Sequence, residues 1–81
     1  MYVRDRKRPK VVLMESLLLR KKPNDSMQHE VQMNGCTLVM SNRYQDVFDL
    51  FNDMMEALER GEVFYDLGKY SGSIEMKFYS I

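Results

Sequence analysis

At 81 residues, with 44% hydrophobic and 30% charged side chains, the chain can build one small core and is too short for two. One cysteine, Cys36, and one histidine, His29, exclude an internal disulfide and a four-ligand zinc site, so no metal or cofactor is expected. Formal net charge is zero, yet residues 1–22 hold eight Lys/Arg against two acids and residues 23–81 hold four against ten. The chain is electrically polar along its length.

Residues 1–10 offer little to bury and contain Pro9, which reads as a basic arm free to move ahead of a single domain over 11–81. Val11 to Leu19 reads as one strand, apolar on both faces: Val11, Leu13, Leu17 and Leu19 on one, Val12, Met14 and Leu18 on the other. A basic stretch followed by an apolar run resembles a signal peptide. Glu15 within the run, Arg20, Lys21 and Lys22 after it and the lack of a small-residue cleavage site argue against that reading. The run is also far short of the roughly 20 residues that span a bilayer. A soluble, cytoplasmic protein with no membrane contact is the expectation.

Lys21 to Ser26, with Pro23, Asn24 and Asp25, has turn composition. Met27, His29, Val31 and Met33 then alternate with Gln28, Glu30 and Gln32, and Asn34-Gly35 is the pair that best tolerates the positive φ of a tight hairpin turn. Cys36 to Ser41 forms the return strand, with Met33 predicted opposite Cys36, Val31 opposite Leu38 and His29 opposite Met40. The helix follows, started by Ser41 or Asn42 as N-cap with Gln45 in capping-box position. Tyr44, Val47, Phe48, Phe51, Met54, Met55 and Leu58 recur at helical spacing as the inward face, Asp46, Asp49, Asp53 and Glu56 line the other side, and Gly61 supplies the stop. Glu62–Leu67 and Ser73–Tyr79 read as a second hairpin. The order βββαββ predicts an α+β fold: a small antiparallel sheet with one amphipathic helix packed on one face.

Chemistry has few places to start. His29 and Cys36 are the one pair that could act as base and nucleophile, and the predicted register separates them by four strand positions, about 13 Å. No phosphate loop, nucleophile elbow or paired-cysteine motif accompanies them, so the chain is not read as an enzyme. Two binding readings remain. In the first, a non-catalytic module occludes a protein partner or a second copy of itself, as phage and mobile-element inhibitors of host machinery do. Its contact residues would be the uncovered apolar groups Val12, Met14, Leu18 and Tyr79, or the acidic helix face Asp46, Asp49, Asp53 and Glu56. In the second, a nucleic-acid accessory protein uses Arg4, Arg6, Lys7, Arg8, Lys10, Arg20, Lys21 and Lys22 on phosphates. That reading lacks interleaved aromatics for base stacking, since only Tyr2 lies beside either basic cluster. A homodimer is the expected form, because one helix cannot cover both sides of a sheet.

Overall fold

A computed structural model describes residues 1–5, 10–22, 25–67 and 77–79. The fold is α+β, with one helix and two sheets in place of the single sheet expected. Strands β1 (Tyr2–Asp5), β2 (Lys10–Leu13) and β6 (Phe64–Asp66) form a three-stranded sheet in the order β2-β1-β6. Strands β3 (Leu17–Lys22), β4 (Asp25–Met33), β5 (Cys36–Ser41) and β7 (Lys77–Phe78) form a four-stranded sheet in the order β3-β4-β5-β7. Helix α1 (Tyr44–Glu59) packs on β3, β4 and β5.

The expected mobile arm is corrected for Tyr2–Asp5, which form the central strand of the smaller sheet. Strand β1 runs antiparallel to β2 and parallel to β6, and Val3, between Val12 and Tyr65, has no exposed surface. Burying that one valine is worth about 1.5–3 kcal/mol, and ladders to β2 and β6 pair the strand's backbone on both sides. Arg6, Lys7, Arg8 and Pro9 lie outside the described residues.

Val11 to Leu19 is likewise divided. Residues 14–16 leave one sheet and enter the other, so β2 and β3 belong to different sheets. Asn34, at the tip of the β4–β5 turn, ties this crossing down. Its Oδ1 accepts the N–H groups of Glu15 (2.7 Å) and Ser16 (3.1 Å), and its Nδ2 donates to the Leu13 carbonyl (2.8 Å). Asn34 sits at φ 55° and Gly35 at φ 80°, the left-handed pair that the Asn-Gly turn requires. Among the described residues β6 pairs with β1 and β7 with β5, in different sheets; the rest of the expected second hairpin, residues 68–76, lies outside the described residues.

The first hairpin starts in the expected register, Met33 opposite Cys36 and Gln32 opposite Thr37. A bulge then shifts it by one, placing Val31 opposite Val39, Glu30 opposite Met40 and His29 opposite Ser41. The extra residue, Leu38, is buried together with Val39, while Cys36 is exposed. The bulge exchanges one fully paired position for two buried aliphatic groups on the return strand.

The helix begins after Arg43, which is extended and caps nothing with its side chain. Ser41 is still part of β5, and its Oγ accepts the Arg43 N–H (3.0 Å). Asn42 accepts from Gln28, and Gln45 turns forward to Asp49 (2.7 Å) instead of back to the cap. At the other end Gly61, at φ 74°, donates to Leu58 and Glu62 donates to Ala57, the paired bonds of a Schellman stop. The residues of α1 that enter the core are Val47, Leu50, Met54 and Ala57, joined by Val3, Val31, Met33, Leu38, Val39, Tyr65 and Leu67. Tyr44, Phe48 and Leu58, expected inward, are exposed. The Tyr65 hydroxyl of the smaller sheet donates to Asp53, on the flank of the helix opposite its aromatic side.

Candidate protein-docking surfaces

The outer face of the smaller sheet is set by the parity of β1. With Val3 inward, Tyr2 and Arg4 point out, and the register aligns Leu13, Tyr2 and Phe64 in one row and Val11, Arg4 and Asp66 in the next. Leu13, Tyr2 and Phe64 are 44%, 43% and 47% exposed, and Val11 is exposed beside them. The rings of Tyr2 and Phe64 lie 5.8 Å apart, and the Arg4 guanidinium sits 5.0 Å over the Phe64 ring. A cation held on an aromatic face keeps its charge at the rim of an otherwise apolar surface. Two rings of about 150–250 Å² each, left roughly half in water beside two aliphatic groups, expose on the order of 300 Å². That reaches the size of the largest apolar patch a monomer ordinarily leaves, about 300–600 Å², which is commonly functional.

The apolar set expected to meet a partner is therefore placed differently. Val12 and Met14 point inward, half-buried against the core, and their neighbours Val11 and Leu13 face solvent. Leu18 is exposed on the face of the larger sheet turned away from the helix, opposite Gln32. Tyr79 is half-buried, and its N–H donates to the Leu38 carbonyl. Sequence patterning showed that β2 is apolar on both sides; which side is covered depends on β1.

The acidic residues of α1 do not form one surface. Half-buried Asp53 accepts a hydrogen bond from the Tyr65 hydroxyl, and half-buried Asp46 lies 3.7 Å from Arg43. Asp49 and Glu56 are exposed on the outer side, bonded along the helix by Gln45 and Asn52. A second apolar stripe runs between that outer side and the core: Tyr44, Phe48 and Leu58 exposed, Phe51 and Met55 half-buried. At its first turn the Tyr44 ring packs on Phe48 and meets His29 edge-on at 5.1 Å.

Arg6, Lys7 and Arg8 lie outside the described residues, and the basic residues described are separate. Arg4 lies on Phe64, Lys10 is exposed at the start of β2, and Lys21 is exposed on β3. Arg20 is engaged by Glu30, whose carboxylate is buried on the sheet face away from the helix. It accepts from Arg20 Nε (2.8 Å), Gln32 Nε2 (2.9 Å) and Thr37 Oγ1 (3.0 Å). Burial alone would raise this carboxyl; the hydrogen bonds from Arg20 and Thr37, the Arg20 charge and the Gln32 amide outweigh it and hold the group below its ordinary value. The site is a structural ion pair.

Among the described residues no three His, Cys, Asp or Glu side chains converge as metal ligands, and no helix is long and apolar enough to cross a membrane. No protein-family model, curated protein or solved structure matches the chain. What defines the molecule is an α+β domain with an apolar sheet face and an aromatic helix stripe left in water.

Proposed function

We propose that this domain is a non-catalytic protein-binding module that acts by covering part of its partner, with the outer face of the smaller sheet as its contact surface. The observation that carries the reading is the row Leu13, Tyr2 and Phe64, three large apolar side chains in register and each about half exposed. Rigid aromatics with a guanidinium at the rim are the groups that most often dominate protein interfaces. The partner is another protein or a second copy of this chain. Occlusion needs no reacting group, and inhibition of a host complex by a phage or mobile-element product is one setting for it. An exposed single thiol, Cys36, suits a reducing compartment such as the cytoplasm. Nucleic-acid binding has less support, since Arg4 and Arg20 are engaged within the domain.

The test compares Leu13→Glu with the unmutated chain in light scattering and in affinity capture from the native host. Leu13 is exposed, so the variant should keep its circular dichroism spectrum while losing self-association or its dominant captured protein. A captured protein retained by Leu13→Glu, or recovery of nuclease-sensitive nucleic acid alone, overturns the reading.

A further inference from the structure

From the second uncovered surface we infer that the aromatic stripe of α1 is a docking ridge for a basic amphipathic helix of another polypeptide, independently of the sheet face. The stripe from Tyr44 to Leu58 runs about 21 Å at 1.5 Å per residue, the length of a four-turn partner helix. Its members Tyr44, Phe48 and Leu58 are exposed, so it is an apolar ridge without a cover among the described residues.

The charge of the partner follows from α1 itself. Its 16 residues include five carboxylates, Asp46, Asp49, Asp53, Glu56 and Glu59, and no Lys, Arg or His. Helical geometry puts Glu59, Glu56 and Asp49 successively farther round from the stripe on its solvent side, all three exposed. Glu56 and Glu59 also lie at the helix C-terminus, where the backbone dipole is negative and favours cations. The two cations nearest the helix ends are directed elsewhere: Arg43 toward Asp46, and Arg60 to Glu62 at 3.1 Å. A ridge with apolar groups on one side and uncompensated carboxylates on the other complements Leu and Lys at helical spacing, the helix-in-groove mode of recognition. Among the described residues the chain's own basic side chains do not supply that shape, because Arg4, Lys10, Arg20, Lys21 and Lys22 lie in strands.

The experiment titrates the full chain into a fluorescently labelled 18-residue peptide of Leu and Lys at helical spacing, and into the same peptide with Glu for Lys, reading anisotropy. The Leu/Lys peptide should bind at least about tenfold more tightly than the Leu/Glu peptide, and added salt should weaken it. Phe48→Ser with Leu58→Ser should weaken it at least about tenfold without altering the circular dichroism spectrum, since both side chains lie outside the buried core. Glu56→Gln with Glu59→Gln should weaken it about threefold and flatten the salt dependence. Leu13→Glu should leave it unchanged, which separates this ridge from the sheet face. Equal binding of the two peptides, or full binding by the double serine variant, overturns the inference. So does a dimer in sedimentation that the double serine variant abolishes, which would assign the ridge to a second copy.

Discussion

Replacing Asn34 by glycine separates the two tasks this residue performs, since glycine keeps the left-handed backbone at φ 55° and removes the side chain. Three hydrogen bonds disappear, those with the Glu15 N–H, the Ser16 N–H and the Leu13 carbonyl. All three are solvent-accessible, so water replaces part of each, and a net loss of about 0.5–1 kcal/mol apiece gives about 2 kcal/mol in total. In a domain of this size each kcal/mol moves the melting temperature by about 4–8 °C, so Asn34→Gly should melt about 8–16 °C lower. Asn34→Ala should fall further, by about 1–2 kcal/mol, because alanine must also enter the left-handed region. Calorimetry measures both, and hydrogen exchange at the Glu15 and Ser16 amides reports whether the crossing between the sheets has loosened. A glycine variant that melts within about 2 °C of the parent, with both amides still protected, would refute the idea that this side chain joins the two sheets.

Glu30 has a lowered folded-state value, so its carboxylate stabilises the fold above the ordinary glutamate range, and that contribution drains away as pH falls from 4.5 through the lower folded value. Glu30→Gln should cost about 1.5–3 kcal/mol at neutral pH and make the acid side of the melting profile shallower; an unchanged acid slope would count against the Arg20 pairing. Val3→Asp places an unpaired carboxylate where the valine has no exposed surface, and should abolish cooperative unfolding seen by circular dichroism. Met14→Glu should lower the melting temperature where Leu13→Glu does not, because Met14 packs on the core and Leu13 faces water. At Gly35 a Cβ would meet nothing within 4 Å, so the positive φ is the sole penalty: Gly35→Val should lose about 1–2 kcal/mol and Gly35→Asn little, as chemical denaturation will show.

The elements legible in the sequence are those whose cause is local. Asn34-Gly35 dictates a tight turn whatever surrounds it, alternation from Met27 to Met33 marks a strand, and Gly61 ends a helix that repeats apolar residues at three and four positions. The same local logic predicted an α+β domain and an excess of apolar surface over what one helix covers. Most of what was misplaced depended on partners distant in the chain. Tyr2–Asp5 carries a single inward apolar residue among charges, and is a central strand because β2 pairs on one side and β6, some sixty residues later, on the other, with Val3 buried. The pairing of β2 with β1 and of β3 with β4 splits Val11 to Leu19 between two sheets, and Leu13 rather than Met14 is left exposed. The roll of α1 is likewise tertiary: packed on β3, β4 and β5, the helix buries Val47, Leu50, Met54 and Ala57 and leaves Tyr44, Phe48 and Leu58 outside. Periodicity states that a helix has an apolar side about half its circumference wide; only the elements packed against it choose which part of that side is core and which part is left for a partner.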